Sequence, residues 1–302
     1  MTLTSSPENH VAPTAQLART RLIRAEIMKI RTTNTWLLLL AGVVVFTAFA
    51  LWTNGISHHY DLHPALATMG AAEQAGARAQ AASAHTPAGL TAIAANMMTA
   101  GQFIGVLFAM LTGILIITSE FAQHTATATF LTTPRRSRVI AAKLAASASC
   151  GALLWLTSTV IDLAVTPIYL HVEHVTISLT EWAVTRSVLL NLLEFVLWAI
   201  FGLGLGALIR SQIGSVLTGL GVYLAGFAAV EIIFHLIYNL YPHGWILGAP
   251  VIAPAVASTI MITPAQAFPH APPQWAGLVI MCAYTLALAA TGVALTRRRD
   301  VT

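Results

Sequence analysis

The chain has 302 residues, of which 57% are hydrophobic and only 9% are Asp, Glu, Lys or Arg. Soluble domains carry about 25% charged residues, so this composition excludes a soluble globular enzyme. The mean hydropathy of +0.75 indicates that most of the surface faces lipid. Cys150 and Cys282 lie inside apolar runs and form neither a disulfide framework nor a metal-binding pattern.

Residues 1–34 are polar and basic, and they predict a cytoplasmic tail. Within this segment Ile23, Ile27 and Ile30 recur at helical spacing, with Arg21 and Arg24 on another face. That pattern predicts an amphipathic helix lying in the membrane interface before the first crossing.

Residues 35–302 form a predicted transmembrane domain with six apolar runs, each close to the roughly 20 residues that cross a bilayer. Because lipid offers backbone groups no hydrogen bonds, each run is predicted to be a helix, and the fold class is all-α. The predicted spans are Thr35–Trp52, Met97–Thr118, Leu144–Tyr169, Ser187–Ile209, Ile213–Ile237 and Trp275–Leu295.

The basic residues predict the orientation of these spans. Thirteen of the 15 Lys and Arg residues fall on one side, and only Arg78 and Arg186 fall on the other. Cytoplasmic loops carry the excess of Lys and Arg, so both termini are predicted to be cytoplasmic.

Two predicted outer segments are unusual. Residues 53–96 form a long connection, rich in Ala and Gly from Ala71 onward, for which the sequence leaves an interfacial helix and disorder both open. Residues 238–274 contain no Lys, Arg, Asp or Glu but seven prolines. They predict one or two short re-entrant or interfacial helices, whose irregular backbone must be shielded by protein or line a wet cavity.

The predicted inner segment 119–143 combines Glu120, a Thr-rich amphipathic stretch, Pro134 and a basic cluster. Composition alone favours a positive-inside loop that contacts lipid headgroups. The alternative is a short helix on the cytoplasmic face that contacts a soluble partner.

Two stretches resemble permease subunits of ATP-binding-cassette exporters of the type-two class, most closely the actinobacterial versions. The first contains Glu26, Lys29, Arg31 and Trp36 at the start of the first span. The second lies between the second and third spans and contains Glu120, Phe121, Thr125, Thr129, Leu131, Pro134, Arg135, Arg136, Arg138 and Lys143. One departure is His124, where relatives usually carry Gly.

The resemblance implies that segment 119–143 is a coupling helix that docks on a cytoplasmic ATPase, and that the N-terminal helix is a connecting elbow. It therefore favours coupling over simple charge anchoring. The chain has no Gly-x-x-x-x-Gly-Lys-Ser/Thr loop, so ATP and Mg²⁺ are expected in a partner ATPase and the chain itself is not expected to be an enzyme. The other expected partners are a second permease copy or paralogue and membrane lipid in a bacterial cytoplasmic membrane.

Three carboxylates fall within predicted spans and are candidates for a pathway or an intramembrane polar role. Asp162 and Glu231 are predicted near the outer interface, where water solvates them. Glu194 is predicted roughly 10 Å inside its span, facing protein, a cavity or a partner such as Asn191. A structural role is favoured over cargo contact.

Most of the eleven histidines lie on the predicted outer side. His58, His59 and His63 form one cluster, and His171 and His174 flank Glu173. Such residues bind zinc or copper, but without cysteine or a readable supporting pattern, unligated histidines are favoured. The Gly202-x-Gly204-x-Gly206 string lies in a span and predicts close helix packing.

The sequence thus predicts the permease subunit of an ATP-driven exporter for an amphipathic or hydrophobic cargo. Two alternatives stay open. One is an ion-coupled carrier that uses Glu194 or Glu231 as a proton site, and the other is a non-transport membrane anchor or receptor for a cytoplasmic ATPase. Nucleic-acid binding requires a basic soluble domain, which the sequence does not contain.

Overall fold

The computed structural model describes residue 28 and residues 34–122, 136–264 and 272–298. These residues form helices and no strand. The α-helices are α1 Thr35–Leu62, α2 Ala71–Ala84, α3 Pro87–Met97, α4 Gln102–Ala122, α5 Arg136–Val172, α6 Trp182–Ile209, α7 Gln212–Leu220, α8 Gly226–Leu240, α9 Gly244–Gly248, α10 Pro254–Ile262 and α11 Gln274–Arg298. The all-α prediction is confirmed.

Six helical segments among the described residues are long and apolar enough to cross a bilayer. They coincide with the six predicted spans, although most of the helices extend beyond the apolar runs. The fifth crossing joins α7 and α8 through a π-helical turn at Gly221–Ala225. The bent pair Gly244–Ile252 and Pro254–Ile262, at 108°, would make a seventh span if it were counted as one crossing.

The two ends of the bundle differ in chemistry. At one end, here called the basic end, Lys143 near the start of α5 pairs with Glu120 near the end of α4. At the other, here called the histidine end, His59 near the end of α1 contacts Glu173, which directly follows α5. The contacts therefore place α1 and α5 side by side and in the same direction.

The core is built on α4 and α6, whose backbones approach each other through glycines. A Cβ atom at Gly202 would collide with the Met110 carbonyl, and one at Gly113 would collide with the Ala199 carbonyl. On another face of α6, a Cβ atom at Gly204 would lie 2.7 Å from the Leu288 backbone of α11. The predicted role of the glycine string in close helix packing is confirmed.

The long connection 53–96 is helical in large part. Helix α1 continues ten residues beyond the predicted end at Trp52, and α2 and α3 follow it. Helix α3 has a complete start signal: the Thr86 hydroxyl accepts a hydrogen bond of 3.1 Å from the Gly89 amide, and Pro87 occupies the first position. Residues 244–262 form α9, a 3₁₀ turn and α10, in agreement with the predicted short helices.

The predicted elbow residues Glu26, Lys29 and Arg31 lie outside the described residues. So do Thr125, Thr129, Pro134 and Arg135 of the predicted coupling segment. The backbone of Phe121 belongs to α4, and Arg136 begins α5.

Candidate functional site: a cavity beside a buried Gln–Glu pair

A cavity of about 1630 Å³ lies between α1, the α2–α4 region and the end of α10. It follows α1 from Phe46 to Asp61, which corresponds to about 22 Å of helix. Its lining contains polar side chains but no Lys or Arg among the described residues. The polar lining comprises Thr53, Asn54, His58, Asp61, Gln80, Ser83, Thr86, Asn96, Thr99, Gln102, Thr259 and Thr263, and the larger apolar side chains are Phe46, Phe49, Ile93, Phe103, Ile104 and Ile262.

The inner part of the cavity is formed where the second crossing is interrupted. Helix α3 ends at Met97 and α4 begins at Gln102, so residues 98–101 form a short break inside the bundle. Thr99, Ala100, Gly101 and Gln102 at this break all line the cavity.

Gln102 connects the cavity to the buried interior. Its Nε2 donates a hydrogen bond of 2.7 Å to Oε1 of Glu194, which lies on α6. Glu194 is fully enclosed, and its carboxylate faces Ser258 of α10 as well as Gln102. Of the surroundings that the sequence left open for Glu194, the structure shows protein and a hydrogen-bond partner.

The suggested partner of Glu194 was wrong. Asn191 is buried one turn earlier on α6, and neither its Nδ2 nor its Oδ1 has a hydrogen-bond partner among the described residues. The bond goes instead to Gln102, because the break after α3 places the first residue of α4 opposite Glu194. The only sequence signal for Gln102 is an amide side chain in the otherwise apolar start of the second span.

Asp162 was expected to be solvated, and this expectation was wrong. The side chain is fully buried, and its Oδ2 accepts a hydrogen bond of 3.3 Å from Ser158. Ser158 in turn accepts a hydrogen bond of 3.2 Å from Thr47 of α1. Position along a helix gives depth but not direction, and this face of α5 packs against α1. Gly101 packs closely against Thr47 and Ser158, since a Cβ atom at this position would collide with both of their hydroxyl groups.

Glu231 lies in a different environment. It is exposed on α8, a helix with no buried residue, and it does not line the cavity. The structure therefore separates the three predicted carboxylates. Asp162 and Glu194 are buried beside the break after α3, and Glu231 lies on the exposed surface of the bundle.

At the basic end, an ion pair between Glu120 and Lys143 joins the two ends of segment 119–143. The Lys143 Nζ lies 2.9 Å from Glu120 Oε1 and donates to the Ile116 carbonyl at 3.4 Å. Glu120 is 6% exposed and Lys143 is 3% exposed. Glu120 was expected where the second span meets water, but it is enclosed and paired with Lys143.

At the histidine end, the structure brings His59, His63 and Glu173 together. The ligand atoms of these three residues all lie within 4.8 Å of one another. His58 belongs to a separate set of contacts, with Asp61 at 3.4 Å and Asn96 at 3.0 Å. In the sequence, His63 and Glu173 are 110 positions apart. The packing of α1 on α5 brings them together.

Comparison with known proteins yields no match to any protein-family model and no significant match to a curated protein. The functional argument therefore depends on the residues and geometry described above.

Proposed function

We propose that this chain is the transmembrane permease subunit of an ATP-driven exporter in a bacterial cytoplasmic membrane. Its cargo is amphipathic or hydrophobic, and a separate cytoplasmic ATPase binds ATP and Mg²⁺. The observation that carries the proposal is the cavity at the break after α3, where Gln102 contacts both the cavity and Glu194.

The lining supports a cargo of this class. Aromatic and aliphatic side chains provide apolar contact, while amides and hydroxyls provide hydrogen-bonding groups that orient a ligand. The absence of Lys and Arg from the described lining disfavours a small anionic cargo. A ligand that contacts Gln102 would act on α4 and α6 together, since these helices form the core.

The base of segment 119–143 supports coupling to a partner. The ion pair between Glu120 and Lys143 joins the end of α4 to the start of α5. Removing one partner would leave the other charge buried without compensation, which strongly destabilises the folded protein. Movement of the segment between Glu120 and Lys143 would therefore be passed to both helices. By the resemblance, that segment is where the ATPase docks.

The exposed faces of α1 and α8 support a second permease subunit. In an apolar 18-residue stretch of each span, only 17% of the first and 6% of the fifth is buried within the chain, against 72% of the second. Lipid covers such faces in a single subunit, and a second copy or a paralogue would cover them in a complete exporter.

Co-purification tests the proposal most directly. The chain would be co-expressed with the cassette ATPases of its own genome, purified in detergent and reconstituted in nanodiscs. We expect one ATPase to co-purify, and its ATP turnover to fall in the Arg135→Ala/Arg136→Ala double variant. The loss should require both changes, because one exposed charge pair contributes only about 0–1 kcal/mol.

The matched control is Arg78→Ala, which removes a basic residue from α2 at the other end of the bundle. Association and turnover should match the unmodified chain in this control. If no ATPase co-purifies, or if the double variant associates and turns over ATP normally, the exporter proposal fails.

Topology provides a second test, based on the distribution of Lys and Arg. In a variant with Cys150 and Cys282 replaced, a membrane-impermeant thiol reagent should label Ser83→Cys in intact cells and leave Ser137→Cys unlabelled. Labelling of Ser137→Cys from outside would overturn the predicted orientation.

An ion-coupled carrier is the second candidate, and the fully enclosed carboxyl group of Glu194 favours it. Glu231 does not support this alternative because it lies on the exposed surface of α8. Proteoliposomes that contain this chain without an ATPase separate the two functions. Dissipation of an imposed pH gradient that is abolished by Glu194→Gln would establish the carrier, whereas the exporter proposal expects no such activity.

A further inference from the structure

The histidine end contains a cluster of metal-ligating groups that the proposed transport function does not use. His59 and His63 lie one helical turn apart at the end of α1, which places both on one face. Glu173 directly follows α5. His59 Nδ1 lies 2.9 Å from Glu173 Oε1, and His63 Nε2 lies 3.2 Å from Glu173 Oε2.

We propose that His59, His63 and Glu173 form a binding site for a zinc ion, with the fourth position occupied by water. Two imidazole nitrogens and one carboxylate are a recurrent ligand set for Zn²⁺ when one position stays open. The three side chains contain no thiolate or thioether, so the site does not favour Cu(I).

The spacing of the rings fits a single ion. With Zn–N distances of about 2.0–2.1 Å, two imidazoles on a tetrahedral ion have centroids about 5 Å apart. The His59 and His63 centroids are 5.3 Å apart. The His63 and His85 centroids are 6.4 Å apart, which leaves His85 outside the ligand set.

Two of the distances between ligand atoms are close to those of a tetrahedral zinc site. Tetrahedral geometry with the same metal–ligand distances separates neighbouring ligands by roughly 3.3 Å. The two nitrogen–oxygen distances, 2.9 and 3.2 Å, are close to that value and end on different oxygens of Glu173. Taken with one atom from each residue, the three ligand atoms lie within 4.8 Å of one another. The half-exposed rings of His59 and His63 would turn to bring the three ligand atoms onto one ion.

The position of Glu173 gives an electrostatic reason for a cation. The Glu173 side chain is 9% exposed, whereas the two histidines are 51% and 53% exposed. Among the described residues, this carboxylate contacts His59 and His63 and forms no ion pair with Lys or Arg. An enclosed carboxylate is stabilised by an opposite charge, which a divalent ion provides.

A contact between the two helices holds the ligands in place. The Tyr169 hydroxyl of α5 donates a hydrogen bond of 3.1 Å to the Gly55 carbonyl of α1. Tyr169 and Gly55 each lie four residues before a ligand, one before Glu173 and the other before His59. The bond therefore fixes the ends of α1 and α5 relative to each other without a metal, as a preorganised site requires.

The site would join α1 to α5 beside the cavity. Two neighbours of the histidine ligands on α1 line the cavity: His58, which precedes His59, and Asp61, which lies between His59 and His63. Zinc at this position would restrain the wall of the cavity that α1 forms. The inference does not depend on the transport proposal, since it concerns metal binding by the chain alone.

Zinc titration of the purified full chain tests the site. The protein would be stripped with a chelator, exchanged into metal-free buffer and titrated with ZnCl₂ against a chromophoric zinc chelator. We expect one Zn²⁺ per chain and a rise in melting temperature on binding. In Glu173→Gln, His59→Ala and His63→Ala, the zinc affinity should fall by at least about tenfold.

Glu173→Gln is the most informative variant, because glutamine keeps the size of the side chain and can still accept a hydrogen bond. Its metal-free melting temperature should stay close to that of the unmodified chain, which separates loss of a ligand from loss of the fold. His171→Ala is the matched control, an exposed histidine two residues from Glu173 but outside the cluster. Its zinc affinity should be unchanged.

Co²⁺ provides an independent spectroscopic measurement. The unmodified chain should show the visible absorption of four-coordinate Co²⁺, and Glu173→Gln should not. The proposal fails if the unmodified chain binds no zinc, if Glu173→Gln binds it equally well, or if His171→Ala loses affinity to the same extent. Any of these results would mean that the three residues form only hydrogen bonds.

Discussion

The second and fifth crossings are similarly apolar but have opposite surroundings. In an apolar 18-residue stretch of each, the mean hydropathy is 2.2 and 2.0, yet 72% of the former stretch and only 6% of the latter is buried within the chain. The second crossing packs against α6 through glycines and contributes Gln102 to the buried Gln–Glu pair. In the fifth crossing, α7 contacts the core through Gly219 and the π-helical turn through Tyr223, whereas α8 has no buried residue.

The difference shows that hydropathy predicts whether a helix crosses a membrane but not whether protein or lipid surrounds it. Lipid tails are as apolar as leucine, so a helix buried in protein and one that faces lipid have the same average composition. Small residues at the contact and polar groups that find partners distinguish the two. Three substitutions, each with a control on the exposed side, test this distinction.

The largest effect is expected where backbones touch. In Gly202→Ala the new Cβ atom would collide with the Met110 carbonyl, so α4 and α6 must separate. We expect a loss of about 3 kcal/mol in the free energy of unfolding, as for an overpacked core. Thermal or urea unfolding in detergent, followed by tryptophan fluorescence, provides the measurement.

The matched control for this change is Gly221→Ala in the fifth crossing, where no heavy atom lies within 4 Å of the new Cβ position. Because alanine favours helix over glycine, the stability should stay the same or rise by up to about 1 kcal/mol. Equal losses in both variants would contradict the close contact between α4 and α6.

An intermediate effect is expected at the carboxylates. Glu194→Leu removes the acceptor of the Gln102 amide and leaves a buried donor without a partner. The expected loss of stability is about 1–3 kcal/mol. Glu231→Leu, on the exposed face of α8, should change stability by less than about 0.5 kcal/mol.

Glu194→Gln separates packing from hydrogen bonding in the same assay. It conserves a carbonyl acceptor for Gln102, so its stability should lie between those of the unmodified chain and Glu194→Leu. If Glu231→Leu destabilises more than Glu194→Leu, the assignment of a buried and an exposed carboxylate is wrong.

The smallest effect is expected at the contact that the fifth crossing makes with the core. The Tyr223 hydroxyl donates a hydrogen bond of 2.5 Å to the Phe103 carbonyl, and its ring packs edge-on against Trp198. Tyr223→Phe conserves the ring and removes the bond, so a loss of about 1 kcal/mol is expected. The control Tyr241→Phe, at a residue that is 65% exposed, should leave the unfolding curve unchanged.

The sequence by itself determined the all-helical class, the six apolar crossings and the role of the Gly202–Gly206 string in packing. These follow from composition and local pattern, because crossing a bilayer requires a continuous apolar helix whatever its neighbours are. The break of the second crossing at residues 98–101 was not predicted, since no proline marks it and its residues, Met-Thr-Ala-Gly, are all compatible with a membrane-spanning helix.

Only the tertiary structure decided which polar groups meet. Asp162 and Glu231 have similar positions along their predicted spans, yet one is enclosed beside Ser158 and the other is exposed. Gln102 meets Glu194 across 92 residues, and His59 meets Glu173 across 114. The direction of a side chain depends on how its helix is rotated and which helix packs beside it, and those choices are made by contacts distant in the sequence.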